Sequence, residues 1–453
     1  MRLSQLLDGL DHVVVRPGDP EICDVVIDSR AVTPGALFIA RTGWYVDGHD
    51  WLDDAVRRGA VAVVVSTEGR APESAQVPVV RVPAEDPFLG LVSARFHGEP
   101  TRSLTVYGVT GTNGKTSTVW LLEHLLAALG ERPAMLSTVL YRHGRHEEPA
   151  PNTTPDGLVI QRFARESVDR GARALVMEVS SHGLQLQRVA GTAFDVVGFT
   201  NLSRDHLDFH GTEERYVAAK VALFSSALAP ARAAGKRTTA CIVGSDVHAD
   251  TMAAASEADV TLRLPSRQAA GSGAGAGVAR TQERGTQDPR VELGGAAAAS
   301  AAPPASDGQT LLEVVGAPTL AGTPCLLRHR GARRQVLVPM PGLHNVDNAQ
   351  LALAMVLDRH PDRLDDVVAA LEAFPGVPGR MEVALRDGQR TVLVDYAHTP
   401  DAVAHALDAV RALGPREVAI VLGCGGDRDA GKRPLMARAA QAGADRVWLT
   451  ADN

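Results

Sequence analysis

The sequence predicts an α/β protein of three domains. A central P-loop parallel sheet is flanked by a small N-terminal α/β domain and a Rossmann-like C-terminal domain that looks truncated. Three observations predict this. Short apolar runs alternate with stretches of helical period along most of the chain. A glycine loop, Gly111-Thr112-Asn113-Gly114-Lys115-Thr116, falls between a strand and a helix. The chain reaches Asn453 directly after a strand, an odd place for a doubly wound domain to finish.

The expected boundaries are 1–100, 101–376 and 377–453. In the first domain, Val25-Val26-Ile27 and Val61 to Val65 read as strands. Trp51 to Arg58 reads as a helix stopped by Gly59. In the second, Ser103 to Tyr107 is a strand running into the glycine loop. Thr116 to Leu129 then places Leu122, Leu125, Leu126 and Leu129 on one helical face. Ala174 to Met177, Val196 to Phe199 and Leu311 to Val315 are further strands. Between the last two, residues 267–308 collapse to Ala, Gly, Ser and Pro, too little apolar surface to offset ordering entropy. They read as a disordered surface insertion. In the third, Thr391 to Val394, Val418 to Leu422 and Arg446 to Leu449 are strands, separated by helices Pro400 to Leu413 and Pro434 to Gly443.

Bulk properties narrow the class. With 45% hydrophobic and 22% charged residues, the 453-residue chain is an ordinary globular one. A net charge of -7 gives no broad electrostatic case for nucleic acid or anionic membrane. No apolar run reaches the roughly 18 residues that span a bilayer, and Met1 to Leu10 lacks signal-peptide character. Cys23, Cys241, Cys325 and Cys424 lie far apart, which fits a reducing cytoplasm. A monomer is expected.

The glycine loop carries the first chemical signal. Its backbone N–H groups and helix dipole suit phosphate, Lys115 can neutralise the β/γ phosphates, and Thr116 can ligate Mg²⁺. Val109 stands where the generic pattern has its first glycine, so this is a variant loop. Glu178 closes an apolar strand, at the edge where open parallel sheets bind ligands. It reads as a Mg²⁺ ligand or as a surface glutamate. Asn201 to Asp208 follows the next strand. His206 and His210 are spaced to chelate zinc on a helix, but the chain lacks a zinc-protease pattern. Lys220 reads first as a solvated lysine on a helix.

Together these strings resemble the Mur ligase family, which adds amino acids to the peptidoglycan precursor. Gly108 to Thr116 looks like its ATP loop. Glu178-Val179-Ser180-Ser181-His182 and Asn201 to Asp208 look like its metal and nucleotide segments. Gly342 to Asn348 matches its HNxxN string, and Asp395 to Asp401 the start of its third domain. The resemblance covers nearly the whole chain outside 267–308.

The resemblance implies an ATP- and Mg²⁺-dependent amide ligase with an acyl-phosphate intermediate. Lys220 then falls on a carbamylated lysine that, with Thr116, Glu178 and His206, holds metal. Lys115, Glu178, His206 and Lys220 become the catalytic set. The loop from Gly111 through Thr112, Asn113, Gly114, Lys115 and Thr116 to Ser117 holds ATP. His344, Asn345, Asn348, Arg380, Asp395 and His398 complete the nucleotide site. Ser29, within Asp28-Ser29-Arg30, resembles a uridine-nucleotide contact. Asn152, Thr153, Thr154, Ser180 and Arg188 resemble contacts to a muramoyl-dipeptide, while Leu186 stands where some members carry glutamine. Arg428 offers a fork for the distal carboxylate of meso-diaminopimelate, and Asp452-Asn453 begins the signature selecting that amino acid. The expected substrates are therefore UDP-N-acetylmuramoyl-dipeptide and meso-diaminopimelate. An L-lysine-adding member, a folylpolyglutamate-type ligase and a truncated nucleotide-binding protein without activity are the alternatives.

Overall fold

The computed structural model describes residues 1–43, 46–66, 76–83, 87–266, 310–424 and 431–451. The 267–308 segment lies outside them, as do Arg428, Asp452 and Asn453.

The first sheet contains β1 (Val13–Arg16), β2 (Asp24–Val26), β3 (Ala36–Ile39), β4 (Ala60–Ser66) and β5 (Val79–Val82). Their order is β1-β5-β4-β3-β2, parallel except for β1. Both faces are covered, so β3 and β4 read as continuous apolar runs. Leu37, Ile39, Ala62 and Val64 enter one core, and Ala36, Phe38, Val63 and Val65 the other. The helix Phe88–Phe96 joins this unit to the next. Gly90 there lies against Gly157, and a Cβ on Gly157 would strike the Gly90 backbone.

The second sheet contains β6 (Thr105–Thr110), β7 (Pro133–Leu136), β8 (Leu140–His143), β9 (His146–Pro149), β10 (Ala174–Glu178), β11 (Val196–Phe199), β12 (Thr239–Val243) and β13 (Val260–Leu264). The order is β13-β12-β11-β6-β10-β7-β8-β9. The first six in that order are parallel; β8 and β9 extend the edge as an antiparallel hairpin that sequence periodicity did not reveal. Ser103 belongs to a short helix, Pro100–Ser103, rather than to the strand that follows. The helix Lys115–Ala128 leaves β6 and buries Leu122, Leu125 and Leu126 completely. It packs beside the helix Leu343–Arg359, whose interior face is equally dry.

A third, antiparallel sheet of β14 (Leu311–Val314), β15 (Thr323–His329) and β16 (Ala332–Val338) follows. Buried Gln350 fastens it. Its Oε1 accepts from Leu312 N at 2.9 Å, and its Nε2 donates to the Pro265 carbonyl at 2.7 Å. In the C-terminal unit the described strands form two small sheets. One is the hairpin β17 (Glu382–Arg386) and β18 (Thr391–Val394). The other is the parallel pair β19 (Ala419–Gly423) and β20 (Arg446–Thr450). The helices Pro400–Ala412 and Lys432–Gly443 build a core with Val418 and Leu422. No helix among the described residues is long and apolar enough to cross a membrane.

Gln350→Leu removes both bonds and strands a buried N–H and a buried carbonyl. Stability should fall by about 2 kcal/mol or more in urea unfolding followed by circular dichroism. An unchanged midpoint would refute the tie.

Candidate active site

Strand β6 lies between β10 and β11, and the chain leaves its C-terminal end into the glycine loop. That is the switch point where an open parallel sheet leaves a crevice. Gly111 (φ +151°) and Gly114 (φ +88°) let the loop backbone turn there. Three bonds press it onto the strand ends. Thr112 N donates to Asn201 O at 2.9 Å, Asn113 N to Asn201 Oδ1 at 3.0 Å, and Thr200 Oγ1 to Asn113 O at 2.6 Å. A Cβ on Gly114 would collide with Asn348 Oδ1.

A cavity of about 480 Å³ opens above this loop. Thr112 through Ser117 line one wall. Gly111 stands behind them, and its carbonyl receives two ammonium groups: Lys115 Nζ at 3.0 Å and Lys220 Nζ at 2.8 Å. Lys115 also donates to Thr112 O at 2.9 Å, so it lies folded over the loop. Lys220 is no solvated lysine. It is 1% exposed, packs 4.6 Å over the Tyr216 ring and sits behind the cavity wall. Burial, then the Lys115 charge, pushes its pKa well below the usual lysine range.

Glu178 is fully buried, so the surface-glutamate alternative falls. It accepts from Thr116 Oγ1 at 3.1 Å, Thr138 N at 2.7 Å and Thr138 Oγ1 at 3.0 Å. Arg380 Nη2 donates to Thr116 Oγ1 at 3.0 Å while its guanidinium stacks 4.5 Å over Tyr396. The chain Arg380–Thr116–Glu178 thus ties the C-terminal unit to the loop. His206 caps the short helix Leu207–His210 at φ +54°. The zinc spacing fails physically. His210 turns inward to hydrogen-bond Ser181 Oγ at 2.9 Å, while His206 leans on Asp205 at 3.3 Å. Among the described residues no group of three His, Cys, Asp or Glu is placed to hold a metal. Burial depresses the His206 pKa to about 3 and that of neighbouring His182 to about 4.

The opposite wall is knitted from Asn152, Thr153, Thr154, Ser180 and Arg188. Thr154 Oγ1 donates to Glu178 O at 2.9 Å and accepts from Ser180 N at 2.9 Å. The Thr153 hydroxyl lies 3.2 Å from the Thr138 hydroxyl, to which it can donate. Arg188 Nη1 donates to Thr154 O at 2.8 Å, while its buried Nε has no partner among the described residues. A half-buried guanidinium lining a cavity suits a carboxylate ligand. His344, Asn345 and Asn348 line the floor, where Asn348 Nδ2 donates to Asn345 Oδ1 at 3.1 Å. Burial brings the His344 pKa to about 4. Asp395, accepting from Met381 N at 2.9 Å, and His398 complete the rim. Burial raises the first and lowers the second.

Ser29 is the described site residue that stands apart. It opens the turn Ser29–Ala31 beside β2, and Arg30 forks onto Asp28 there, at 2.7 Å for its closest contact. It does not line the cavity. Sequence reasoning missed Thr138, Asp205 and Lys432. Thr138 lies two residues past the end of β7, a strand the sequence reading did not identify, so the strand-end rule that selected Glu178 was not applied there.

Three family models match in order: the Mur ligase family catalytic domain over 21–97, the Mur ligase middle domain over 109–271, and the Mur ligase glutamate ligase domain over 379–453. A Geobacillus thermodenitrificans protein, named UDP-N-acetylmuramoyl-L-alanyl-D-glutamate–2,6-diaminopimelate ligase, is 37% identical over 454 residues, spanning 100% of this chain and 83% of that protein. The chain belongs to the Mur ligase family. It is an ATP-dependent ligase of that family. A Chlorobaculum tepidum protein of the same name is 38% identical over 459 residues, covering 100% of this chain and 82% of its own length. A solved structure bearing that name superposes with TM-score 0.66 at 29% identity, over 95% of this chain and 79% of the other. The Thermotoga maritima MurF ligase in complex with ADP shares the fold, with TM-score 0.62 and 18% identity over 95% and 84% of the two chains.

Two outcomes follow. Gly114→Ala, driven against Asn348, should weaken ADP binding by about tenfold or more, the equivalent of about 1.4 kcal/mol, in isothermal titration. Binding within twofold of wild type would contradict the loop geometry. The second concerns pH. His206 and His182 hold fewer protons folded than unfolded at pH values below their ordinary 6.5. Stability should therefore fall as pH drops from about 6.5 towards 4. Thermal melts should show that slope reduced in His182→Gln.

Proposed function

We propose that this chain joins meso-diaminopimelate to UDP-N-acetylmuramoyl-L-alanyl-D-glutamate, consuming ATP and releasing ADP and phosphate. The observation that carries the reading is one cavity shared by two charge systems. A phosphate loop with Lys115 and Arg380 forms one wall, and the half-buried Arg188 guanidinium lies on the other. A phosphoryl donor and a carboxylate acceptor can therefore meet without leaving the cavity. Relatives of that name, 34% to 38% identical across the whole chain, supply the substrate identities.

The residues divide the work. Arg188, Thr154 and Ser180 orient the acceptor so that a D-glutamate carboxylate oxygen faces the γ-phosphate held by the loop. That oxygen forms a bond to phosphorus as the bond to the ADP oxygen breaks. Lys115 leaves the Gly111 and Thr112 carbonyls and places its charge on the phosphoryl oxygens. The diaminopimelate amine then attacks the acyl carbon, loses a proton and expels phosphate. Much of the rate comes from gathering three substrates in one orientation.

Magnesium is implied by this chemistry, and the donors fit it. The Thr116 hydroxyl and Glu178 carboxylate are hard oxygen ligands already paired in the cavity wall. Bound there, the ion would neutralise charge on the transferred phosphoryl group. His206 and a carbamate on Lys220 would complete its ligands. Lys220 is prepared for that change, because its neutral amine can add to carbon dioxide, releasing a proton and forming a carbamate anion. Burial disfavours the ammonium form that would block it.

The test is ligation of radiolabelled meso-diaminopimelate to the UDP-muramoyl-dipeptide. Lys115→Ala should lower kcat by about a hundredfold or more. Full activity in that variant would overturn the reading, and preference for L-lysine would overturn the choice of amine. Lys220→Arg, which keeps a cation but forms no carbamate, should be as impaired and insensitive to bicarbonate.

A further inference from the structure

Asp205 is the acid on which the C-terminal unit converges. Its side chain is 3% exposed, at the end of the loop that follows β11. Lys432 opens the helix Lys432–Gly443 on the other unit; its side chain is 11% exposed, and its Nζ meets Asp205 Oδ1 at 2.5 Å. His398, from the segment after β18, faces the same carboxylate. From the central unit His206, Lys115 and Lys220 face it too. The two units are thus held by a buried charge pair far along the chain from their covalent link. At that link, Gly379 (φ +66°) and Met381 (φ +48°) both take left-handed backbone. Met381 is a non-glycine residue in that region, the kind of position at which a unit pivots. Arg380, between them, touches Thr116. One attachment is therefore a pivot and the other fixes the angle about it.

We propose that the Lys432–Asp205 ion pair is the clamp that seats the C-terminal unit over the ATP loop, which makes Lys432 a positioning residue for ligation. A buried pair that loses one partner leaves an uncompensated charge. Here the charge is relieved by opening the cleft to water. Asp395 and His398 then withdraw from the cavity together, since both lie beyond the pivot on the unit that Lys432 anchors. The kinetic part rests on the ligase reading above; the contact does not.

Spin labels at exposed Glu213 and Arg438, on a background with Cys23 and Cys424 replaced by serine, report the distance between units by double electron–electron resonance. Wild type should give one short distance without substrates. Lys432→Met should lengthen and broaden it, and Lys432→Arg should restore it. Lys432→Gln replaces Lys432→Met if melting curves show the latter unfolded. With all substrates, Lys432→Met should lose about tenfold or more in kcat, while the KM for ATP stays within about twofold. Unchanged distances overturn the clamp. A kcat loss with unchanged distances places Lys432 on the reacting groups instead, and a lengthened distance with full kcat removes its role in ligation. If the wild type fails to ligate diaminopimelate yet the distances respond, the ligase reading falls and the clamp stands.

Discussion

The site depends on how closely the backbone of the glycine loop approaches the end of β11. Thr112 and Asn113 are bonded to Asn201, and Thr200 reaches back to Asn113. That contact leaves no room for a side chain on Gly111, and Asn348 leaves none on Gly114; both residues also take left-handed backbone that other residues resist. It also aims the Gly111 carbonyl backwards, where it becomes the shared acceptor for Lys115 and Lys220. Neither lysine would stand where it does if the loop sat farther from the sheet.

From this follows an electrostatic arrangement with little slack. Lys115, Lys220 and Arg380 crowd one wall, answered by Glu178 and Asp205. Burial works against charge on Lys115, Lys220 and Asp205, so backbone carbonyls hold the two lysines and Lys432 holds Asp205. Such a wall is short of negative charge until a polyanion arrives, and a nucleotide phosphate chain is the natural complement. The Arg188 side of the cavity repeats the pattern on a smaller scale with a half-buried guanidinium.

How much of this was legible in the sequence varies with the range of the interaction involved. Local patterns gave the loop, its helix and the apolar strands, because period and glycine placement are short-range signals. Glu178 was found through its strand end, although its burial could not be read. Lys220 shows the limit. As a lysine one turn beyond Tyr216 on a helix, it carried no local mark of being buried. Only the resemblance singled it out, since the Gly111 carbonyl that receives it lies 109 residues away in the chain. Asp205 and Lys432 were missed for the same reason, their contact spanning 227 residues. The β8–β9 hairpin was missed because its outer strand is exposed and polar, without alternation. Boundaries of the three expected domains stay a proposal. The Gly90–Gly157 contact shows that the first and second units are packed backbone to backbone rather than strung on a linker.

Gln350 carries a consequence for how this chain tolerates added length. Pro265 and Leu312 bond to the same side chain, so the chain leaves the central unit and rejoins it at one spot. Closing a loop whose ends are already pinned together costs little for each extra residue, about 0.6 kcal/mol for every doubling. The folding of the ATP-binding unit is therefore nearly indifferent to how many residues lie between those two points. The length of chain between Pro265 and Leu312 can therefore change while the buried tie through Gln350, on the helix that also carries Asn345 and Asn348, keeps its place. That spot is the natural graft point of the molecule.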